Sequence, residues 1–238
     1  MSIVLNPGMV HAQRTAGFQA NRICKNSAMR HTLHSEGFGI RLRPVQVSDA
    51  AFIVWLRHLD YVNGRVGDSA PDVVSQQQWL ERYFDREGDF YFVFETPGGI
   101  RLGTTGLYGI AGKYAEWGRY IVRPETPAAL PAAILIFDLA FEKLGLSELL
   151  ARCVSTNLPM HSLVKKWGFR QTETKPGEQL IGGLRVDMIH FVLNARDWSG
   201  HRERLLPLAE YAGRRIEAWG KSASRSADAD TTVNGVIG

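Results

Sequence analysis

The chain has few cysteines, no long apolar segment and no cluster of metal-binding side chains. Its two cysteines, Cys24 and Cys153, lie far apart without CxxC spacing, which argues against a disulfide framework and favours a reducing, cytoplasmic environment. No apolar run approaches the roughly 18 residues that cross a bilayer, and no secretory signal is visible, so no membrane partner is expected. No group of His, Cys and Asp has ligand spacing, so no metal is expected.

Acidic residues are also missing from residues 1–35, although Arg14, Arg22, Lys25 and Arg30 all stand there. The formal net charge of +4 therefore belongs largely to this segment, and the rest of the chain is close to neutral. No stripe of Lys and Arg with interleaved aromatic residues is present. The composition therefore gives no reason to expect a nucleic-acid partner.

Both ends of the chain lack a sustained hydrophobic period. We expect residues 1–38 to be a flexible extension, although their basic, acid-poor composition also matches an organellar transit peptide. Residues 220–238 are rich in Ser, Ala, Asp, Thr and Gly, and we expect residues 214–238 to be a disordered tail. Residues 39–213 then form one domain, which is large enough to fold without disulfides or metals.

The hydrophobic pattern between the two ends predicts alternating strands and helices. Period-2 alternation, helical periodicity and Gly or Pro breaks give the order β-α-α-β-β-β-α-β-α-β-β. The predicted strands are residues 40–45, 90–94, 100–110, 115–122, 149–154, 169–174 and 184–193, and the predicted helices are residues 50–59, 76–86, 132–144, 158–167 and, at the end, 198–212. This order indicates an α+β fold with a crossover connection.

One motif lies after the fifth predicted strand. Asn157 is followed by His161 and Ser162, and Gly168-Phe169 stand eleven and twelve residues after the asparagine. This motif and the order of elements resemble the GNAT N-acetyltransferase family over about residues 40–193. The resemblance implies an α+β, mixed, mostly antiparallel central sheet with a splayed parallel strand pair and helices on both faces. It also implies acetyl-CoA as co-substrate and direct transfer of an acetyl group to a primary amine.

The resemblance implies where acetyl-CoA binds. The strand over residues 115–123 would carry a bulge and splay from its parallel neighbour, so its backbone could bond the pantetheine arm as a third strand would. The pyrophosphate would rest on the loop at residues 123–132, where family glycines let backbone N–H groups approach the phosphates. The implied cofactor-binding residues are Tyr120, Ile121, Val122, Ala128, Ala129, Leu130, Ala132 and Asn157.

The same loop departs from the family pattern. Pro127 stands at or near the first glycine position, and proline has no N–H to offer an anion. Ala129 can serve for the second glycine, and Pro131 is tolerated because its missing N–H would have no partner at a helix start. A non-catalytic GNAT-like binding module therefore stays open as an alternative to an enzyme.

Two residues are candidates for proton transfer. Many family members have a tyrosine seven residues after the asparagine that protonates the leaving thiolate, but this chain has Val164 there. His161 lies one turn earlier on the same helical face and is a candidate acid or proton relay. Glu116 on the splayed strand is the candidate general base, since an amine acceptor is largely protonated at neutral pH.

The acceptor is suggested by a finer resemblance. Residues 78–83, 115–120, 140–146 and 187–198 look like a GNAT branch that acetylates nucleotide-linked amino sugars for surface polysaccharides, and ribosomal-protein acetyltransferases share much of this pattern. The expected acceptor is therefore a small-molecule amine such as a nucleotide-linked amino sugar, with a protein N-terminus or an antibiotic amine as alternatives. A homodimer is compatible with the sequence. The candidate substrate-binding residues are Arg57, Asn63, Gln78, Trp79, Tyr83 and Tyr108.

Overall fold

The computed structural model describes residues 31–67 and 69–233, with side chains up to Ser222. The strands are β1 (Ser35–Gly37), β2 (Ile40–Pro44), β3 (Phe90–Glu95), β4 (Arg101–Ala111), β5 (Tyr114–Val122), β6 (Glu148–Val154), β7 (Arg170–Ile181) and β8 (Leu184–Asn194). They form one sheet in the order β1-β2-β3-β4-β5-β6-β8-β7. Only the β5–β6 pair of these described strands is parallel, so the predicted mixed, mostly antiparallel fold is confirmed.

Helices cover both faces of this sheet. They are α1 (Ala50–Arg57, after a 3₁₀ turn at Val47–Asp49), α2 (Val73–Tyr83), α3 (Ala129–Asp138, continued by a π-helical turn at Leu139–Lys143), α4 (Leu158–Lys166) and α5 (Ala195–Val233). Phe92 and Phe94 of β3 pack into the large core with α3, α4 and α5. The alternate residues Tyr91 and Val93 pack with α1 and α2 on the opposite face, as the period of a strand requires.

Strand β5 is irregular at the point where function is expected. Gly118 pairs with Gly106 of β4 and Ile121 pairs with Thr104, so β5 carries one extra residue there. Arg119 takes up this bulge with φ of 50°. A Cβ at Gly118 would come within 2.2 Å of the Tyr108 hydroxyl, so a larger residue there would displace that tyrosine from its position over the strand.

The parallel pair separates after a short contact. Pairing between β5 and β6 runs from Tyr114–Glu148 to Glu116–Leu150 and then stops. Beyond this point the two strands diverge, and the backbone of each faces a gap. The splayed pair that the family resemblance implied is therefore present.

Helix α4 ends as its sequence predicts. Gly168 has φ of 103°, and a Cβ there would lie 2.4 Å from the His201 ring, so the position needs glycine for both conformation and space. Phe169 follows and is buried against Trp117 and Phe137. The Gly-Phe pair thus turns the chain and fills the core beneath the gap.

The ends of the domain differ from the sequence prediction. Residues 35–37 pair with β2 instead of belonging to a flexible extension, and α5 continues past residue 212 to Val233. The apolar stripe of α5 continues through the buried Ile216 to Trp219, so residues 214–233 are helical where a disordered tail was expected. Residues 1–30 and 234–238 lie outside the described residues, so the flexible extension and the disordered tail stay predictions there.

Two further element boundaries shift. Helix α2 begins at Val73, one turn before the predicted start, because the Asp72 carboxylate accepts a hydrogen bond from the Ser75 N–H at 2.7 Å and caps the helix. Helix α3 begins at Ala129 instead of residue 132. None of the helices in the described part of the chain combines the length and apolar character needed to cross a bilayer.

Candidate active site

A cleft of about 560 Å³ runs from helices α1 and α2, across β5, into the gap between β5 and β6. One end is lined by α1, the loop that follows it and α2. The other end is lined by β5, β6 and the start of α4 at Asn157. The cleft therefore joins the region where the family resemblance places the acceptor to the region where it places the pantetheine arm.

The three residues predicted to bond the pantetheine arm differ in their surroundings. Tyr120 lines the cleft, and its hydroxyl donates a hydrogen bond to the Ala129 carbonyl at 2.6 Å. The Ile121 side chain is buried under α1. The Val122 carbonyl accepts a hydrogen bond from the Tyr61 hydroxyl, which occupies one of its two acceptor positions.

The loop before α3 retains part of the predicted anion cradle. The N–H groups of Ala128, Ala129 and Leu130 make no hydrogen bond to another described residue, as expected for the first turn of a helix. The Ala132 N–H instead donates to the Ala128 carbonyl at 3.0 Å. The prediction that Ala132 offers its N–H to the cofactor is therefore wrong, because α3 starts three residues earlier than predicted.

The loop also contains a left-handed residue that is not glycine. Glu125 has φ of 66°, a region that L-residues adopt at a cost in free energy. The loop thus combines a left-handed glutamate with Pro127, which has no N–H to offer an anion. The start of α3 still offers three backbone N–H donors to an anion, those of Ala128, Ala129 and Leu130.

Asn157 caps α4 from within the cleft wall. Its Oδ1 accepts a hydrogen bond from the Met160 N–H at 3.4 Å, which satisfies one donor at the start of the helix. Its Nδ2 makes no hydrogen bond to another described residue. The predicted cofactor residue therefore lines the cleft with an amide nitrogen that carries two N–H donors.

Glu116 lies in the cleft wall with its carboxylate held by two neighbours. The Tyr108 hydroxyl and the Arg152 Nε both donate to Oε1 at 2.9 Å, and the Arg152 Nη2 lies 2.9 Å from Oε2. Burial raises the pKa of Tyr108 above its usual range, so this phenol is a donor at neutral pH. A carboxylate has about four acceptor positions, which leaves one on Oε2 for a ligand.

Arg119 is a site feature that the sequence analysis missed. The bulge directs its side chain into the cleft wall, where Asp89 binds the guanidinium through Nη1 at 2.5 Å and Nη2 at 2.7 Å. The guanidinium carbon lies 4.6 Å from the Tyr108 ring centroid and 5.0 Å from that of Tyr91, both within cation–π range. A lone arginine in an apolar strand was the only available signal.

The substrate-binding candidates divide into three groups. Arg57, Trp79 and Tyr108 line the cleft. Tyr83 is fully buried, with its hydroxyl accepting from the Tyr91 N–H at 2.7 Å. Asn63 and Gln78 are exposed and lie outside the lining.

Gln76 lines the cleft in place of Gln78. It is 5% exposed and shares a face of α2 with Trp79, three residues later. Helix α2 starts earlier than predicted, but this does not change which of its residues share a face. The error came from choosing the glutamine beside the tryptophan in sequence instead of the one a helical turn before it.

His161 lies behind the cleft and is not among the residues that line it. The side chain is buried, and Nε2 donates a hydrogen bond to the Val154 carbonyl at 2.9 Å. Burial lowers the pKa of the imidazole, so the ring is neutral at physiological pH. These contacts link α4 to β6, and they do not bring the ring to the part of the cleft where an acetyl acceptor would bind.

Positive charge dominates the cleft lining. Among the described lining residues, five arginines accompany one acidic residue, Glu116. Arg152 is neutralised by Glu116, and Arg119 by Asp89. The other three arginines lie at the end formed by α1, α2 and their connecting loop, namely Arg57, Arg65 and Arg82. No group of His, Cys, Asp and Glu within the described residues could hold a metal ion.

Comparisons with known proteins agree with this geometry. FdhC in its apo form, a nucleotide-linked sugar GNAT, is 24% identical over 76% of this chain and 99% of its own, with a TM-score of 0.60. A GCN5-related N-acetyltransferase from Brucella melitensis is 17% identical over 81% and 90%, with a TM-score of 0.62. The spermidine/spermine N-acetyltransferase SpeG from Vibrio cholerae, in mutant form, is 18% identical over 70% and 99%, with a TM-score of 0.60.

These three similarities show the fold and leave the substrate open, since all identities are below one quarter. No curated protein matches the sequence. Residues 40–170 match the acetyltransferase (GNAT) domain family, a span that includes β2 to α4 and leaves α5 outside. GNAT acetyltransferases use acetyl-CoA as acyl donor. The match covers more than half of the 238 residues, and the chain therefore belongs to the GNAT acetyltransferase family.

Proposed function

We propose that this protein is an acetyl-CoA-dependent N-acetyltransferase whose acceptor is the amino group of a nucleotide-linked amino sugar. The observation that carries the proposal is the continuous cleft, which connects an arginine-rich end to the gap between the splayed strands. An anionic acceptor at the first end can thereby present an amine at the second.

The residues at the gap fit acetyl-CoA, which supplies the acetyl group as a reactive thioester. The backbone of β5 beyond Glu116 has no partner strand on the β6 side, and Asn157 offers an amide donor there. The N–H groups of Ala128, Ala129 and Leu130 would hold the pyrophosphate at the positive end of α3. Val122 is left out of this assignment because Tyr61 occupies one acceptor position of its carbonyl and the residue does not line the cleft.

The acceptor end fits an anion better than a cation. Arg65 and Arg82 can bind phosphate oxygens with charge-assisted hydrogen bonds, whereas the Arg57 guanidinium donates to the Gly67 carbonyl and the Ser69 hydroxyl. A polyamine, an antibiotic amine with several positive charges or a protonated peptide terminus would meet like charge there. Trp79 and Tyr108 add aromatic surface of the kind that packs against a sugar or a base.

Glu116 is the proposed general base. Its free acceptor position on Oε2 can take a proton from the amine directly or through one water. Tyr108 and Arg152 fix the carboxylate in one orientation, which favours a reactive geometry before the acceptor binds. His161 is assigned no proton in this scheme, because its Nε2 is bound to the Val154 carbonyl.

Steady-state kinetics with acetyl-CoA and a panel of UDP- and dTDP-linked amino sugars test the proposal. We expect turnover with a nucleotide-linked amino sugar, and we expect Arg65→Ala with Arg82→Ala to raise the KM for that acceptor at least tenfold. The KM for acetyl-CoA should stay within twofold. Arg170→Ala, an exposed arginine outside the cleft, is the matched control and should change neither constant.

Binding of acetyl-CoA without turnover of any amine would contradict the proposal and support the non-catalytic binding module. Turnover of cationic amines with no nucleotide-sugar activity would also contradict it. In that second case the double substitution would raise activity toward the cation, because it removes like charge from that end of the cleft.

A further inference from the structure

A tryptophan pair encloses the residue at which β5 passes into the loop before α3. The Arg123 guanidinium carbon lies 5.4 Å from the ring centroid of Trp55 in α1 and 5.4 Å from that of Trp219 in α5. Both distances are within cation–π range. Trp55 is 43% exposed, whereas Trp219 packs against the main core.

Arg123 is also tied through its backbone. Its N–H donates to the Leu102 carbonyl at 2.6 Å, and its own carbonyl accepts from the Thr126 hydroxyl at 2.9 Å. The residue therefore joins the regular sheet to the loop that faces the start of α3. Holding its side chain fixes the point from which the loop departs.

The loop needs such support more than a glycine-rich loop would. Residues 123–132 contain no glycine, and Glu125 adopts a left-handed conformation at a cost in free energy. A conformation that the local sequence disfavours persists only when contacts from elsewhere stabilise it. Trp219 supplies such a contact from α5, which lies outside the residues that match the GNAT family.

We propose that α5 is part of the cofactor site and that Trp219 is a positioning residue for the pyrophosphate-binding loop. Trp219 and Trp55 clamp Arg123, and the clamp holds the loop in the shape that directs the N–H groups of Ala128, Ala129 and Leu130 toward an anion. This inference rests on the proposed binding of CoA. Pre-ordering lowers the conformational entropy lost on binding, so loss of the clamp weakens affinity for CoA.

Calorimetric titration of the full chain with CoA itself tests the inference without any acceptor. Trp219→Ala should raise the Kd for CoA about tenfold, equivalent to about 1.4 kcal/mol. Trp219→Phe, which keeps an aromatic face for the guanidinium, should stay within threefold of the parent. Trp55→Ala should also weaken binding, and its exposed position makes it the safer variant if Trp219→Ala does not fold.

Tyr211→Ala is the matched control on the same helix. Tyr211 is exposed, and Arg214 lies 6.0 Å from its ring, so this variant removes a comparable aromatic–arginine pair away from the loop. Its Kd for CoA should equal that of the parent. A merely structural role for Trp219 would lower the melting temperature and leave the Kd unchanged.

Three results would overturn the inference. They are a Trp219→Ala protein that binds CoA as the parent does, a Trp219→Phe protein that is as weak as the alanine variant, and equal weakening by Tyr211→Ala. A parent that fails to bind CoA would instead remove the proposed function as well, and this outcome is visible before any variant is made.

Discussion

Replacement of Glu116 by glutamine tests whether this carboxylate is a catalytic base or only stabilises the cleft wall. The substitution keeps the shape of the side chain and removes its charge and its basicity. The Glu116–Arg152 pair is partly exposed, with Arg152 at 36%, so its loss should cost at most about 1 kcal/mol of folding free energy. The variant should therefore fold, and a change in rate can be assigned to chemistry.

The expected kinetic loss is large. General base catalysis contributes roughly 10²–10⁴-fold to a rate, and one of the four acceptor positions of Glu116 is open to the amine or a water. We expect Glu116→Gln to lower kcat at least tenfold, about 1.4 kcal/mol of transition-state stabilisation, with little change in the KM for acetyl-CoA. Raising the pH should partly restore the rate, because the amine then loses its proton without help.

Glu178→Gln is the matched control for this experiment. Glu178 lies 3.7 Å from the same arginine, Arg152, and binds His190, but it does not line the cleft. The control should keep at least half of the parental kcat at every pH. His161→Ala should also keep most of the rate, because that imidazole lies outside the cleft lining and a leaving thiolate can be protonated by solvent.

The measurement is a pH–rate profile of kcat and kcat/KM for the parent and the three variants with one competent acceptor. A Glu116→Gln protein with parental kcat across the whole pH range would refute the reasoning. Equal losses in Glu116→Gln and Glu178→Gln would refute it too, since the effect would then come from Arg152.

Three other predictions concern stability, cofactor affinity and thiol reactivity. Asp89→Asn leaves the Arg119 guanidinium without its buried counter-ion, so the free energy of unfolding should fall by about 3 kcal/mol. Chemical denaturation should show no comparable loss for Asp85→Asn, an exposed control. Equal stability of both variants would contradict the buried ion pair. Pro127→Gly restores an N–H beside the start of α3, so titration should show tighter CoA binding, and unchanged or weaker binding would remove Pro127 from the anion site. Burial raises the pKa of Cys153 to about 12, so iodoacetamide should not modify this thiol at pH 7.5. Mass spectrometry measures the modification, and a rapid reaction would show that the cleft opens further than described.

The parts of the site that were predictable from sequence depend on contacts that are close along the chain. The bounds of α4 between Asn157 and Gly168 were predictable, because they follow from helix geometry within one short segment. The order of strands and helices was predictable for the same reason. Hydrophobic period and turn residues act locally, and connection rules then leave few ways to assemble one sheet.

The parts that were not predictable depend on pairing between distant strands and on the exact start of each helix. Arg152 meets Glu116 because β5 and β6 lie side by side at that point, a fact of sheet order. Arg119 points into the cleft because a bulge changes the direction of its side chain. Ala132 loses its role because α3 begins three residues early.

The length of α5 was also underestimated, for a different reason. The segment after residue 213 is polar and of low complexity, but Ile216 and Trp219 keep the spacing of a buried helical stripe. Two apolar residues in a polar segment are too few to predict a helix from period alone. These two residues support a helix here because Ile216 packs in the core and Trp219 packs against Arg123.

A competition between acceptors tests the central claim most directly. The purified protein is incubated with acetyl-CoA and equal concentrations of a nucleotide-linked amino sugar and spermidine, and the products are identified by mass spectrometry. We expect one added acetyl group on the nucleotide sugar and none on the polyamine, with release of an equal amount of free CoA. Acetylated spermidine with an unmodified nucleotide sugar would contradict the anionic acceptor, and the absence of any acetylated product despite CoA binding would contradict the assignment as an enzyme.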